Sequence, residues 1–295
     1  MAHTRRHPPL HPVVTVLEIL QSTTAYFAQR GIESPRLNIE HLLADALGKR
    51  RLDLYLEFDR NVSERELSVL RTKVRRRAER EPLQHVLGYW DFFGRRFKTD
   101  ARALIPRPET ELLVEEALGR LPRDASGRLA IDVGTGSGVI GITLALERPE
   151  LHVTAIDRSV QALDLASENA GLHEVTSRVR FVEGDLLSAS APEPAADLIA
   201  ANLPYIPTTQ IAALAAEVRR DPISALDGGP DGLQLIRRLI RDAPSYLRPG
   251  GLLILEIGAG QASDVCNSLA AEKYRDIFTR KDYQGVIRVV GASYG

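Results

Sequence analysis

The chain has 295 residues, 44% of them hydrophobic and 26% charged, which is enough to bury a sizeable core in one large domain or two ordinary ones. Thirty-eight basic residues against 39 acidic ones leave a formal charge of -1, which excludes a dedicated nucleic-acid coat protein but leaves room for a local basic patch. The only cysteine, Cys266, excludes an internal disulfide and a cysteine-built zinc site, and points to a reducing compartment.

Residues 1–12 carry Arg5, Arg6, three histidines and three prolines, and lack the apolar stretch of a secretory signal. His3, His7 and His11 stand four apart, as on a metal-binding helix face, but Pro8, Pro9 and Pro12 oppose a helix there, so a disordered tail is expected. No window reaches the roughly 18 apolar residues that span a bilayer, so a soluble, cytoplasmic protein without a membrane partner is expected.

From Val13 to about Arg80 the pattern is helical. Val13, Val16, Leu17 and Leu20 share one helix face. Gly31 reads as a stop and Ser34-Pro35 as the next start, with Leu37, His41, Leu42, Ala44 and Leu47 continuing to Gly48. A third segment covers Leu52 to Phe58. A fourth begins after Ser63, with Glu66 placed to close a capping box. Residues 13–82 therefore read as a small all-α bundle. Residues 71–80 are basic at six of ten positions, which suits either a docking face or a solvated helix surface.

Composition changes at residues 83–104, where Tyr89, Trp90, Phe92, Phe93 and Phe97 are interleaved with Gly88 and Gly94, the pattern of a linking β-hairpin. Residues 105–295 then alternate strand-like and helix-like segments. The strands are expected at Leu129–Val133, His152–Ile156, Val179–Val182, Leu198–Ala201, Leu252–Ile257, Tyr274–Thr279 and Val286–Val290. This alternation predicts an α/β domain, a seven-stranded, doubly wound, mostly parallel sheet with helices on both faces. The link between the last two strands is too short for a parallel crossover, so that pair should be antiparallel.

The first of these strands runs into Gly134-Thr135-Gly136-Ser137-Gly138. A glycine-rich turn between strand and helix lets the backbone approach a ligand closely, and the helix N–H groups favour polar or anionic groups. Both dinucleotides and S-adenosylmethionine use this geometry. Gly136, Gly138 and Gly141 also match the dinucleotide spacing G-x-G-x-x-G. However, a turn that begins directly after Val133 reads G-x-G-x-G, and no nicotinamide pocket is signalled. Asp157, ending the second strand, is placed to accept both ribose hydroxyls of an adenosine. Asp185 could take the adenine amino group with Leu186 packed on the ring, or simply end a strand.

The fourth strand runs into Asn202-Leu203-Pro204-Tyr205, at the sheet end where open α/β folds bind ligands. The tetrapeptide suits methylation of a planar nitrogen. Such a nitrogen is a poor nucleophile and must be oriented while positive charge develops on it. The Asn202 side-chain oxygen and the Leu203 carbonyl can accept its two N–H bonds, and both interactions strengthen as the charge appears. Pro204 fixes the turn, and Tyr205 offers a flat face to the amide.

With these residues the chain resembles the release factor glutamine N5-methyltransferases, the PrmC/HemK family. Three further segments carry the resemblance: Gln84–Gly88 with Phe93-Gly94; Ile105-Pro106-Arg107-Pro108-Glu109-Thr110-Glu111; and Asp221-Pro222, Ala225–Gly229 and Gly232-Leu233. Pro108 to Glu111 also reads as a helix start with acids in its first turn, which either closes over the cofactor or simply caps the helix. The resemblance implies a class I, Rossmann-like methyltransferase domain behind a helical docking domain, with S-adenosyl-L-methionine as cofactor. It implies a peptide chain release factor as partner, methylated on the glutamine of Gly-Gly-Gln, with no direct need for nucleic acid. It assigns Gly134 to Gly138, Asp157 and Asn202 to the cofactor, and Asn202 to Tyr205 to the glutamine amide. The family usually has proline at position 203. Asn-Leu-Pro-Tyr also resembles the tetrapeptide of ribosomal RNA adenine N6-methyltransferases, and a ribosomal protein glutamine methyltransferase shares the motif. A nucleotide-binding module without catalysis would leave Asn202 without a role.

Overall fold

A computed structural model describes residues 14–122, 127–188 and 196–295. The N-terminal tail with its three histidines lies outside the described residues. The chain divides into two compact units, one ending at Leu87 and the other beginning at Gly88.

In the first unit, β1 (Val14–Thr15) pairs antiparallel with β2 (Asn61–Val62), and four helices follow one another: α1 (Val16–Gln29), α2 (Pro35–Ala46), α3 (Glu64–Ala78) and α4 (Leu83–Leu87). A 3-10 turn at Arg51–Leu56 joins α2 to β2. Thr15 with Glu18 and Ser63 with Glu66 form capping boxes that satisfy the first N–H groups of α1 and α3. Val16, Ile19, Leu20 and Phe27 of α1 are buried, as are Ile39, Leu42 and Leu43 of α2 and Leu67 and Leu70 of α3.

Two details differ from the sequence reading. The helical region contains a short strand pair, too brief to leave an alternating pattern. The hairpin expected over 83–104 starts later, because Leu83, Val86 and Leu87 follow helical spacing and are buried as one face of α4. The basic run at 71–80 is mostly engaged within the unit. Arg77 is buried and donates to Asn38 Oδ1 at 2.7 Å, Arg76 pairs with Glu81 at 2.5 Å, and Lys73 pairs with Asp45 at 2.8 Å.

The second unit opens with the hairpin β3 (Tyr89–Phe92) and β4 (Arg95–Lys98). Its two-residue turn places Phe93 and Gly94 at φ +50° and +71°, the left-handed geometry that matches strand twist. Phe92 and Phe97 are buried and meet edge to face at 6.1 Å. The remaining elements are α5 (Pro108–Arg120), β5 (Leu129–Val133), α6 (Val139–Glu147), β6 (His152–Asp157), α7 (Val160–Leu172), β7 (Val179–Glu183), β8 (Ala196–Ala201), α8 (Gln234–Asp242), β9 (Leu247–Glu256), α9 (Ala262–Ala271), β10 (Tyr274–Lys281) and β11 (Ile287–Tyr294).

These seven strands form one sheet in the order β10-β11-β9-β8-β5-β6-β7. The five from β9 to β7 are parallel, and β11 is antiparallel to both of its neighbours. Alternate residues serve opposite faces. Ala130, Val153, Leu198 and Ile254 pack with α5 and α6, while Ile131, Val133, Ile199 and Leu253 pack with α8 and α9. Strands covered on both faces are rich in apolar residues on both sides, which is why they read as short apolar runs rather than alternations. The chain winds outward from β5 through β6 to β7, then returns to β8 on the other side of β5. That reversal opens a crevice at the carboxyl ends of β5 and β8, where ligands bind in such sheets.

Candidate active site

The glycine turn follows β5 and the Asn202 loop follows β8, so strand adjacency alone brings the two motifs together. Gly134, Gly136 and Gly138 take φ of +73°, +55° and +85°, which L side chains rarely adopt. The fit is close as well as strained. A Cβ on Gly138 would stand 2.7 Å from Ile142 Cδ1, and one on Gly134 would stand 3.0 Å from Leu203 Cδ2. Gly141, the third glycine of the dinucleotide spacing, lies inside α6 against Asp132 and Val153.

Asp157 is held by the backbone. Its Oδ2 accepts from Gly136 N and its Oδ1 from Ser159 N, both at 2.9 Å. Each oxygen keeps a lone pair for a ligand hydroxyl. Behind the turn, buried Asp132 accepts from Thr135 Oγ1 at 2.5 Å and Gly141 N at 2.9 Å, and burial raises its carboxyl to about 6. Asn169, fully buried on α7, donates to Ser137 O at 2.9 Å and accepts from Lys98 N at 2.7 Å, tying the turn to the hairpin.

Above the turn lies a cleft of about 980 Å³. Gly134–Ser137, Asp157, Asp185, Leu186 and Asn202–Pro204 all line it, together with Ile105–Arg107 and Thr110. Asp185 reaches the cleft edge, where its carboxylate also pairs with Arg238 at 2.8 Å. The size, the close backbone approach and the oriented Asp157 carboxylate fit an adenosyl ligand. A second cavity of about 690 Å³ is lined by Leu104, Arg107, Glu109, Asn202, Leu203, Tyr205 and Arg288. Asn202 and Leu203 border both spaces.

The Leu203 side chain is buried in the sheet core against Gly134. With that side chain packed in the core, any role of position 203 in the site falls to its backbone carbonyl, which leucine supplies as well as proline would. Among the described residues, no backbone hydrogen bond ends on this carbonyl. The Tyr205 carbonyl is occupied, accepting from Gln261 Nε2 at 2.9 Å. Gly228 and Gly232 pack against the carbonyls of Pro204 and Tyr205 so closely that any Cβ would collide, at 2.6 Å and 2.2 Å. The third family segment thus braces the Asn202 loop.

Sequence reasoning missed three site residues. Thr110, read as part of a helix start that could also close over the cofactor, donates to Glu256 Oε2 at 2.6 Å and accepts from Asn202 Nδ2 at 3.1 Å. Glu256 ends β9, is 1% exposed, and lies 3.5 Å from the Tyr205 hydroxyl. Burial pushes its carboxyl up to about 7, and the Tyr205 phenol is raised by burial and by Glu256. The signal for Glu256 was a lone acid closing the apolar run Leu252–Leu255. Arg107 also escaped a role. It donates to buried Asp221 at 2.8 Å and so joins two segments 114 residues apart.

A sheet of this order, with a glycine turn and an Asn-Leu-Pro-Tyr loop on neighbouring strand ends, defines an S-adenosylmethionine-dependent methyltransferase. Residues 18–88 match the family model of the PrmC N-terminal domain, and residues 108–221 that of the methyltransferase small domain. A release factor glutamine methyltransferase of Geobacter sulfurreducens is 43% identical over 282 residues, spanning 95% of this chain and 97% of the relative. One from Chlorobaculum tepidum is 43% identical over 288 residues with the same coverage. A methyltransferase structure from Pyrococcus furiosus matches with a TM-score of 0.52 at 18% identity, over 79% of this chain and all of that one, a likeness in fold alone. The chain belongs to the family of release factor glutamine methyltransferases, which use S-adenosyl-L-methionine.

Proposed function

We propose that the enzyme methylates the side-chain N5 of the glutamine in the Gly-Gly-Gln motif of class 1 peptide chain release factors. The observation that carries this reading is the position of Asn202 and Leu203 at the junction of two cavities. The first has the lining for S-adenosylmethionine, and the second has room for a glutamine side chain. Asn202 Nδ2 is engaged by Thr110, so Oδ1 is left to accept one amide N–H, and the Leu203 carbonyl accepts the other.

S-adenosylmethionine supplies the electrophilic methyl group. The two acceptors hold the amide nitrogen in line with it and interact more strongly as that nitrogen becomes cationic. When bound, the cofactor would give up its sulfonium methyl to the nitrogen that Asn202 and Leu203 hold. The cationic amide then loses a proton to water without needing a strong base. Tyr205 lines the second cavity, where its ring can lie against the planar amide. In this reading Asp157 takes the ribose hydroxyls, and Asp185 with Leu186 the adenine.

We assign docking of the release factor to the helical unit, where Leu52, Tyr55 and Leu56 are exposed. The working compartment is then the cytoplasm, and among the described residues no helix is long and apolar enough to cross a membrane. The test is incubation with S-adenosylmethionine and a purified release factor, followed by mass spectrometry of the Gly-Gly-Gln peptide. A single added methyl on the glutamine is expected. An unmodified peptide from enzyme that still binds S-adenosylmethionine would reject the substrate.

A further inference from the structure

We propose that Thr110 and Glu256 are positioning residues that decide which end of the Asn202 amide faces the substrate, with the ionised Glu256 carboxylate selecting the productive end. This rests on the role given to Asn202 above.

The two ends of an asparagine amide are almost the same size, so only hydrogen bonds distinguish them. The glutamine NH₂ brings donors. It therefore needs Oδ1 of Asn202, and Nδ2 in that place would set donor against donor. The choice is made one shell back. The Thr110 hydroxyl has one proton and two lone pairs. An ionised Glu256 accepts the hydrogen bond of the Thr110 hydroxyl across the 2.6 Å contact, so Thr110 can offer Asn202 only a lone pair. Asn202 must then present Nδ2 to Thr110, as it does at 3.1 Å, and Oδ1 faces the cavity.

A protonated Glu256 reverses the chain. Its own O–H can donate to Thr110 Oγ1, and the threonine proton then turns toward Asn202, where it calls for Oδ1. The amide is pulled toward the unproductive orientation. The Thr110–Glu256 contact is well placed for such a relay, since the two residues are 3% and 1% exposed and water does not compete there, while Asn202 is half-buried at the cavity wall.

The groups facing Glu256 hold it near its balance point. Burial favours the neutral form, and so does Glu109 on α5. Thr110, Arg288 on β11 and the Tyr205 hydroxyl favour the charged form, although Arg288 is itself bonded to Asp282 at 3.0 Å. The relay therefore responds to the protonation of Glu256, which its burial shifts upward.

The test is steady-state methylation of a release factor from pH 6 to 8.5 by wild type, T110V, T110S and E256Q, with S-adenosylmethionine affinity measured separately by calorimetry. T110V keeps the shape of threonine and is expected to lower kcat by roughly 10- to 100-fold, the cost of a misoriented acceptor. Cofactor affinity and the KM for the release factor should stay within about twofold. T110S restores the hydroxyl and should recover most of the rate. Wild-type kcat should rise with pH through one ionisation, and that limb should be missing from E256Q. A T110V kcat equal to wild type, or the same acid limb in E256Q and wild type, would overturn the relay. N202A separates the two ideas. If it transfers at the wild-type rate, the reading of Asn202 itself fails. If it is inactive while T110V is normal, only the relay fails.

Discussion

Replacing Glu256 with glutamine should stabilise the enzyme in mild alkali and change little in acid. The Glu256 carboxyl is raised from 4.5 to about 7, chiefly by complete burial. A shift of roughly 2.5 units corresponds to about 3 kcal/mol. The folded state holds this proton more tightly than the unfolded chain. Between those two values the native protein therefore binds more protons, and its stability falls as pH rises through that window. Glutamine has no such titration and can still accept from Thr110. The stability difference between variant and wild type should thus grow by about 2–3 kcal/mol from pH 5 to pH 8 in favour of E256Q. Urea unfolding followed through Trp90, the only tryptophan and part of the second unit, measures it. Asp132 and Asp221, both raised to about 6 with burial as the first cause, slope the same way but are present in both proteins and cancel. A difference that does not change with pH would refute the reasoning, because it would mean Glu256 is not a buried, readily protonated acid.

Asn202→Ala is expected to reduce methyl transfer by 100-fold or more, as roughly 10²–10³ follows loss of an oriented polar group, with melting temperature nearly unchanged; near wild-type turnover would reject its role. Asp157→Ala should weaken S-adenosylmethionine binding by about 10- to 100-fold, the worth of one or two hydrogen bonds to a charged group. Calorimetry reads this directly, and an unaltered affinity would move the ribose elsewhere. Gly138→Ala combines a φ of +85° with a contact of 2.7 Å to Ile142 and 3.1 Å to Ala166. Strain and overpacking together should cost roughly 2–4 kcal/mol, seen as a lower melting temperature, and an unshifted melt would show that α6 and α7 yield freely.

What the sequence made legible follows from the physics of each element. The sheet was readable because strands buried on both faces are rich in apolar residues and alternate with helices, whereas the strand order came from the structure. The Gly134 turn and the Asn202 loop were readable because each is a short motif at a strand end. The sheet then places them side by side without further information. Helix α4 was hidden next to a cluster of aromatic residues that belongs to the hairpin. Thr110 and Glu256 are 146 residues apart, and neither is unusual alone: one sits in a helix start, the other in a strand. Only the packing of α5 on β9 makes them partners. The basic run at 71–80 shows the reverse. Its charge stands out in the sequence, yet Arg77, Arg76 and Lys73 are taken up by neighbours within the helical unit.

The buried acids of the second unit share a logic that separates stability from function. Asp132, Asp221 and Glu256 are each raised above the ordinary carboxyl range by burial, so each makes the folded state less favourable near neutral pH. An apolar residue would serve the core better at such positions. Each acid instead holds one wall of the cleft. Asp132 fixes the glycine turn through Thr135 and Gly141. Asp221 fixes Arg107 at the start of α5. Glu256 fixes Thr110 and, through it, Asn202. Ordinary packing would leave these walls free to shift by fractions of an ångström, and methyl transfer to a weak nucleophile does not tolerate that. The destabilisation is accordingly confined to the sheet end that carries the chemistry. There the large apolar faces of the sheet, with Leu198, Ile199, Leu253 and Ile254 fully buried, supply enough stability to absorb it.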